Sequence, residues 1–422
     1  SWMQNTTIKA RHYVAGNSTP INDSSPVNCQ AVQYNTTDVY VTTTGLPSYV
    51  TGPFLDGNPS IATNQNAIFR IPLNPVPNTG TPVNTTGGNI GIFINGVALF
   101  DYRDGVAWNN TTQSLCGGPG NSPCPGGMGA TQNWNRDAIP AEKKGFDCSK
   151  AHPAMGNYHH HQNPSAFNLD LVVISTICNL YNADGLYAID SAVHSPLIGY
   201  AYDGFPIYGA YGYQNADGSG PIVRIKSSYS LNSGNTRTLG PDVSNTYPLG
   251  YFREDYHYTA TSAGTPDYLD EHNGRFCLTP EYPSGIYCYF ATVDANWNST
   301  YPYVVGPTFY GTRNAAKVTS VPSGTTTYSS TASNDKINLQ ATQVKVFPSP
   351  TNDLIIIQLI DINKENLKVE LFDMTGRLVE TTSLLQGSTI AYFDVQTLYS
   401  GQYLVKISNK NSVIIQKIVV TK

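Results

Sequence analysis

Charged side chains are scarce in this sequence. Asp, Glu, Lys and Arg make up 13% of the 422 residues, whereas they make up about a quarter of an ordinary soluble domain. Hydroxyl, amide, Gly and Pro residues take their place, which is typical of an all-β exported protein. The formal net charge is -5, so the chain offers no basic surface, and we expect no nucleic-acid partner.

Long apolar runs are missing as well. No segment approaches the roughly 20 apolar residues that a membrane-spanning helix requires, so we predict no transmembrane segment. Nothing at Ser1 has the pattern of a signal peptide. We therefore expect a mature form whose signal peptide has been removed, and which is secreted or held at the cell surface.

Cysteine is infrequent but present. Seven cysteines suit an oxidising compartment if most of them are paired. Spacing does not fix the connectivity, and a cysteine metal site would need Cys-x-x-Cys spacing that the chain lacks. The candidate pairs are Cys116 with Cys124, Cys277 with Cys288, and Cys148 with Cys178, which leaves Cys29 over. Such pairing predicts an exported chain that is cross-linked by disulfides.

Histidine is rare too, yet half of the eight histidines fall within residues 147–164. If the end of this segment is extended, its side chains alternate between two faces. His159 and His161 then share one face, while Tyr158 and His160 point the other way. Two imidazoles on one strand face can reach a single ion, as in His-x-His metal sites. The spacing therefore predicts a metal-binding strand.

The candidate metal ligands are His152, His159, His161 and His194. Nearby carboxylates are expected from Asp147, Asp203 or Glu271. Because imidazole suits zinc and copper, a zinc or copper ion is the expected cofactor. The alternative is a Tyr- and His-rich strand that packs through aromatic and hydrogen-bond contacts without any ion.

No sequence motif specifies a reaction. The chain has no Gly-x-Ser-x-Gly elbow, no His-Glu-x-x-His helix and no phosphate-binding loop. Three functions therefore stay open. One is a metal site that only binds or cross-links, and another is a metal-dependent hydrolase or oxidase with an open coordination position. The third is a non-catalytic surface binding or adhesion module whose tyrosines stack on glycans or proteins.

The local patterns indicate mainly β structure. Short segments rich in Val, Ile, Thr and Tyr are separated by Pro, Gly and Asn turns. Asn95-Gly96 looks like a two-residue hairpin turn between apolar arms, and Asp203-Gly204 gives a second hairpin signal. Within the loop-like residues 109–146, only residues 138–144 suggest a short helical turn, and the apolar segment 168–178 fits either a buried strand or a core helix.

Composition changes twice near the carboxyl end. Residues 316–343 form a Ser/Thr-rich segment typical of a flexible linker. Residues 344–422 lack Cys and His and contain seven short strand patterns. Seven strands in about eighty residues predict a small Ig-like β-sandwich.

This last segment is similar to a known domain. The shared motifs are Val346-Phe-Pro-Ser-Pro-Thr, Val369-Glu-Leu-Phe-Asp-Met-Thr-Gly-Arg-Leu-Val, Leu398-Tyr-Ser-Gly-Gln-Tyr-Leu-Val-Lys-Ile and Gln416-Lys-Ile-Val-Val-Thr-Lys. They resemble the type A sorting domain of the bacterial type IX secretion system, with Ser349 where that family usually has Asn. The resemblance implies a Bacteroidetes-type bacterium and export across the outer membrane. It also implies that residues 344–422 contact the secretion translocon and its outer-membrane shuttle protein.

Residues 30–311 resemble a YHYH domain. The motifs are Ile90-Gly-Ile-Phe-Ile-Asn-Gly-Val, His152-Pro followed by Tyr158-His-His-His, and His194-Ser-Pro-Leu-Ile-Gly-Tyr-Ala-Tyr-Asp-Gly-Phe-Pro-Ile-Tyr-Gly. The family implies no defined activity and suggests metal binding. Here Tyr287-Cys-Tyr-Phe replaces a second Tyr-His-Tyr-His segment and His272 replaces a family Cys, which argues against a second metal site.

The predicted architecture is mainly β. A large, irregular β-sandwich-like YHYH domain is expected at residues 1–315, followed by the linker at 316–343. The small seven-stranded Ig-like β-sandwich at 344–422 is expected to be the type IX sorting domain.

Overall fold

The computed structural model describes residues 2–5, 7–55, 61–126, 132–170, 176–181, 185–261, 265–328, 343–360, 366–385, 387–409 and 412–422. We refer to residues 2–328 as the body and to residues 344–422 as the tail domain. The fold is mainly β, as predicted.

Short strands make up most of the body. Strands β1 to β24 are, in chain order, Lys9–Val14, Asn17–Pro26, Cys29–Tyr34, Asp38–Thr43, Ala67–Pro72, Val83–Asn84, Asn89–Phe93, Ala98–Phe100, Arg103–Asn109, Ser114–Cys116, Asn135–Asp137, Ala151–Ala154, Asn157–His160, Leu197–Ala201, Pro206–Tyr208, Tyr211–Tyr213, Ile222–Arg224, Tyr229–Leu231, Tyr256–Tyr258, Gly274–Cys277, Ile286–Phe290, Thr308–Phe309, Ala316–Val318 and Thr326–Tyr328. The helical elements are α1, Ala138–Glu142, and the 3-10 turns Phe167–Leu169, Thr176–Asn179 and Arg253–Asp255. Helix α1 confirms the helical turn that the sequence suggests at 138–144.

Two large sheets share the main core of the body. The eight-stranded sheet has the order β12-β13-β8-β7-β14-β15-β21-β20, and the five-stranded sheet has the order β23-β5-β4-β3-β24. Alternating side chains on β5 explain its placement, because Phe69 and Ile71 are buried while Arg70 between them is half-buried. Ile92 from the larger sheet joins the same core. The histidine segment supplies β12 and β13, so it forms one edge of the larger sheet.

Both predicted hairpins are present, although one turn is longer than expected. Strands β14 and β15 pair on either side of Asp203-Gly204. Strands β7 and β8 also pair, but the Phe93 amide donates to the Val97 carbonyl at 2.9 Å, which makes a three-residue loop. Gly96 has φ +80° in this loop, and a Cβ there would lie 2.1 Å from the Thr43 hydroxyl. Only glycine therefore fits the position.

The tail domain has its own core. Strands β25 to β31 are Val344–Phe347, Leu354–Leu359, Leu367–Asp373, Leu378–Leu384, Ile390–Asp394, Gly401–Ser408 and Val413–Val420. They form a three-stranded sheet, β25-β26-β29, and a four-stranded sheet, β28-β27-β30-β31. Buried side chains from both sheets, among them Ile357 and Val405, form one hydrophobic cluster. Within the described residues this cluster contains no side chain from the body.

The predicted linker differs from the structure in its first half. Residues 316–318 form β23, which pairs with β5, and residues 326–328 form β24, which pairs with β3. These two strands complete the two edges of the five-stranded sheet. Residues 329–342 lie outside the described residues.

Two of the predicted cysteine pairs are disulfide-bonded. Cys116 is bonded to Cys124, and Cys148 is bonded to Cys178. Cys29 is a free, buried thiol.

The third predicted pair is wrong, because Cys277 and Cys288 are both free and buried. Strands β20 and β21 place Cys277 opposite Ile286 and Cys288 opposite Arg275. The two thiols are therefore diagonal neighbours across the strand pair. Their side chains contact each other through a thiol hydrogen bond but are not bridged.

The helical elements of the described residues are three to five residues long. None of them has the length and apolar character needed to cross a bilayer.

Candidate metal centre

Three of the predicted ligands converge at the edge of the large sheet. One nitrogen each from His152, His159 and His161 lie within 4.8 Å of one another. All three side chains are buried, with exposures of 7%, 1% and 4%. Imidazoles clustered away from water are the chemistry of a transition-metal site.

A hairpin brings the first two histidines together. Strands β12 and β13 pair antiparallel, with His152 directly opposite His159. Met155 and Gly156 form the turn, with φ values of 49° and 82°. Two residues with positive φ define the turn type that matches the twist of paired strands. The cross-strand partners therefore carry two imidazoles on one face.

The next strand orients the other side of the cluster. Strand β13 runs parallel to β8, with His159 beside Ala98. The Phe100 ring stacks on the His159 ring at a centroid distance of 3.8 Å. Immediately after β8, the Asp101 carbonyl lies 2.6 Å from Nδ1 of His161. Parallel pairing thus fixes the position of both imidazoles.

The hydrogen bonds set the tautomers of two histidines. Nδ1 of His159 lies 2.8 Å from the Asn157 carbonyl, and Nδ1 of His161 contacts the Asp101 carbonyl. A carbonyl oxygen only accepts, so each Nδ1 carries the proton and donates. In the neutral imidazoles, each Nε2 then presents a lone pair. These two Nε2 atoms lie 3.1 Å apart.

Glu142 completes the cluster from helix α1. Its Oε2 lies 3.2 Å from Nε2 of His152 and 3.3 Å from Nε2 of His161. Asp137 caps the helix by accepting from the Ile139 amide at 2.9 Å. The Glu142 Oε2 atom is buried but makes no hydrogen bond of good geometry. A buried anionic oxygen that faces two imidazoles without such a bond is suited to a shared cation.

Three of the donor distances are close to those around one tetrahedral ion. Zinc binds nitrogen and oxygen ligands at about 2.0–2.2 Å, so tetrahedral ligand atoms lie about 3.3–3.5 Å apart. The distances are 3.1 Å between Nε2 of His159 and His161, and 3.2 and 3.3 Å from Glu142 Oε2 to Nε2 of His152 and His161. The three imidazole nitrogens all lie within 4.8 Å of one another. The donor set is three imidazoles and one carboxylate, which suits zinc or copper.

The electrostatics favour an ionised Glu142 beside a neutral His159. Burial lowers the pKa of His159 well below its usual value, and the neighbouring His161 and His152 lower it further. Burial alone would raise the pKa of Glu142, but the adjacent His152 and His161 lower it overall. Metal ligands must be in these deprotonated forms.

His160 faces away from the cluster, as the predicted alternation requires. Its Nε2 lies 2.9 Å from the Tyr49 hydroxyl, and its Nδ1 lies 3.2 Å from the Lys150 carbonyl. Burial lowers the pKa of His160 to about 3. This histidine is therefore a neutral packing residue.

His194 lies in a different part of the body. Its Nδ1 contacts the Ser195 carbonyl at 2.7 Å, and its ring packs against Tyr208 and Tyr213 at centroid distances of 5.2 and 5.0 Å. Burial lowers its pKa. The structure brings together three of the four predicted histidines and leaves His194 outside the cluster.

The carboxylates expected near the histidines are engaged elsewhere. Asp147 accepts from the Tyr158 hydroxyl at 2.8 Å, and Asp203 accepts from the Tyr289 hydroxyl at 2.5 Å. The Glu271 carboxylate lies beside His272, which is outside the cluster. Sequence reasoning missed Glu142, although it lies within the helical turn predicted at 138–144, ten residues before His152.

Comparison with known proteins places both parts of the chain. Residues 345–421 match the secretion system C-terminal sorting domain. The chain is therefore a cargo of type IX secretion, which exports it to the cell surface or the medium. No curated protein matches the chain. Residues 68–302 match the model of the YHYH protein family, which confirms the resemblance seen in the motifs. Because this match spans more than half of the sequence, the chain belongs to the YHYH family.

Proposed function

We propose that this exported protein binds one zinc or copper ion through three histidines and Glu142. The histidines are His152, His159 and His161. The single observation that carries the proposal is the pair of Nε2 lone pairs 3.1 Å apart, each fixed by a carbonyl that holds Nδ1 as a donor. Two lone pairs at this distance repel each other unless a cation or a proton lies between them.

The buried Glu142 oxygen supports a metal ion in preference to a single shared proton. One proton between His159 and His161 would engage only two of the four donor groups, whereas Glu142 Oε2 also lies 3.2 Å from Nε2 of His152 and 3.3 Å from Nε2 of His161. A divalent ion instead binds all four donors and neutralises the carboxylate. It would also link helix α1 to the β12–β13 hairpin, which belongs to the eight-stranded sheet.

A four-donor set favours a binding or cross-linking role over catalysis. Structural zinc sites use four protein ligands, whereas catalytic sites keep one position for water or substrate. The Glu142 side chain is 23% exposed, against 9% and 3% for His152 and His161. A hydrolase or oxidase is therefore the second candidate, with Glu142 as the ligand that would yield its position.

We also propose a route for the export of this chain. The sorting-domain match supports contact between residues 344–422 and both the translocon and an outer-membrane shuttle protein. Passage across the outer membrane of a Bacteroidetes-type cell, after signal-peptide removal, follows from the same resemblance.

Elemental analysis of the purified chain tests the metal site. We expect about one zinc or copper ion per wild-type chain after reconstitution and dialysis, and none in the double variant His159→Ala with His161→Ala. The matched control is His194→Ala with His257→Ala, which removes two histidines outside the cluster. The control should keep the ion.

Thermal unfolding separates metal loss from misfolding. Added zinc should raise the Tm of the wild type and of the control, because a ligand that binds only the folded state stabilises it. The His159/His161 variant should fold but show no shift. A wild type that binds neither ion would remove the metal proposal and favour the binding-module function. One vacant coordination position, seen by X-ray absorption of the loaded protein, would favour the enzyme.

A further inference from the structure

Lys150 is a fully buried lysine that the metal proposal does not use. Its Nζ lies 2.8 Å from Oδ1 of Asp170, and the two side chains are 0% and 4% exposed. The Phe167 ring lies 5.8 Å from the same Nζ, and the Ser165 hydroxyl lies 3.4 Å away. The pair is therefore an ammonium and a carboxylate in direct contact inside the body.

Stability alone gives little reason for such a pair. Removing both charges from water costs several kcal/mol each, and well-packed apolar residues often replace a buried ion pair without loss. The other lysine–aspartate pairs of the described chain lie at the surface, as Lys226 and Asp267 do with 34% and 16% exposure. Burial of the Lys150–Asp170 pair calls for a chemical explanation.

The two groups are the reactants of an amide condensation. Fixed contact replaces a bimolecular encounter, which is worth several orders of magnitude in rate. Exclusion of water favours the neutral amine and acid over the ion pair, and it disfavours hydrolysis of the product. A lysine amine is an established protein nucleophile toward carbonyl carbon.

We propose that Lys150 and Asp170 become joined by an isopeptide bond once the body has folded. The ammonium first passes a proton to the Asp170 carboxylate. Nζ then forms a bond to Cγ of Asp170, and the bond from Cγ to one carboxyl oxygen breaks. That oxygen leaves as water, taking the carboxyl proton and one proton from the nitrogen. No oxidant or co-reactant is needed.

The surroundings assist the proton transfers. Burial raises the pKa of Asp170 to about 6, which eases its protonation. The carboxylate of Asp294 interacts electrostatically with both Lys150 and Asp170.

The bond would reinforce the start of the histidine hairpin. Lys150 directly precedes β12, and Cys148 nearby is bonded to Cys178. The isopeptide would therefore lie inside the loop that this disulfide closes. Unlike the disulfide, it would survive reduction.

The mass of the reduced, denatured full-length chain is the first test. We expect wild type to be lighter than its sequence by one water molecule. Trypsin should fail to cut after Lys150, so residues 145–224 should remain one peptide, because no other Lys or Arg lies between them. Lys226 is the internal control, since its Nζ lies 2.6 Å from Asp267 at the surface and trypsin should cut there normally.

Variants locate the bond. Asp170→Ala and Lys150→Arg should have their full sequence masses. Asp170→Asn should lose ammonia and reach the same final mass as cross-linked wild type. Fragment spectra must place the missing water between Lys150 and Asp170, and a loss located at Asp203-Gly204 instead would overturn the proposal. So would a wild type of full sequence mass that trypsin cuts after Lys150, whether or not the variants fold.

Discussion

The interiors of the body and of the tail domain contain different kinds of side chain. The tail domain buries mainly aliphatic side chains such as Ile355, Val369 and Val405 between regular strand ladders. The body instead buries many polar groups. A recurring unit is a fully buried aspartate that accepts from a tyrosine hydroxyl, at 2.8, 2.7 and 2.5 Å for Asp147 with Tyr158, Asp137 with Tyr303 and Asp203 with Tyr289.

The difference follows from backbone regularity. Long ladders satisfy their own amides, so the tail domain needs few polar partners inside. The short strands and loops of the body leave amides that no neighbouring strand reaches. Buried carboxylates accept from them, as Asp203 does from the Gly311 amide at 2.9 Å. Burial raises the pKa of Asp137 to about 8 and of Asp203 to about 6, because the charged carboxylate is disfavoured away from water.

Deleting residues 344–422 should have the largest effect of all, because it should block export of the chain. It should have little effect on the fold of the body. Because the described residues of the two parts share no core cluster, we expect the truncated chain to fold but to remain inside the cell. Fractionation of a host with type IX secretion would show this, together with near-UV circular dichroism of the purified body. Residues 329–422 fused to an unrelated periplasmic passenger are the control, and they should carry it out. Export of the truncated chain at the wild-type level would contradict the prediction.

Asp147→Ala should cause the largest loss of stability in the body. The Asp147 carboxylate accepts from the Gly52 amide, the Tyr158 hydroxyl and the amides of Ser149 and Ala151. Its removal leaves several buried donors without an acceptor, and each unsatisfied donor costs about 1–3 kcal/mol. We therefore expect the free energy of unfolding of the body to fall by more than about 3 kcal/mol. Urea unfolding followed by near-UV circular dichroism measures it.

Asp217→Ala is the control for this prediction. Asp217 is exposed and binds only within its own turn, at Ser219. Its removal should leave the unfolding midpoint nearly unchanged. If both variants lost the same small amount, the buried aspartates would not hold the body together.

A matched change in the tail domain should have a smaller effect. Ile357 is fully buried in β26, and Ile357→Val should lower the unfolding free energy of the tail domain by about 1 kcal/mol. Ile415→Val is the control, because Ile415 is 58% exposed and should change stability by at most a few tenths of a kcal/mol. Calorimetry should show that only the tail transition moves. Movement of the body transition by the same amount would mean that the two cores unfold together.

Local pattern predicted the elements that short-range physics determines. The alternation of side chains along 158–161 correctly placed His159 and His161 on the face opposite to His160. Similar short strand patterns predicted the seven strands of the tail domain. It could not place Glu142, because the approach of α1 to the hairpin depends on packing that no local pattern encodes. His194 was grouped with the other histidines because of its motif alone. A motif does not show where its side chains lie relative to those of another motif.

Composition misled at the linker. The Ser/Thr content of 316–328 indicated flexible chain, yet Thr is also a good strand former at a sheet edge. Strand β24, Thr326–Tyr328, shows that outcome at one edge of the five-stranded sheet, whereas β23, Ala316–Val318, forms the other edge without Thr. Edge strands need few apolar residues, so their sequences look like loops.

The smallest effect should come from the ion pair that links the two parts. Nζ of Lys345 lies 2.8 Å from Oδ2 of Asp190, and the side chains are 36% and 16% exposed. Exposed pairs of this kind are worth about 0.2–1 kcal/mol and weaken as salt screens them. Lys345→Ala should therefore shift either calorimetric transition by less than about 1 kcal/mol at low salt and by less still at high salt. Lys406→Ala is the matched control, since Lys406 pairs with Glu370 inside the tail domain at 3.1 Å and should affect that transition alone. If Lys345→Ala instead weakened the body by several kcal/mol, the tail domain would be a structural partner of the body as well as its export signal, because so large a loss cannot come from one solvated ion pair.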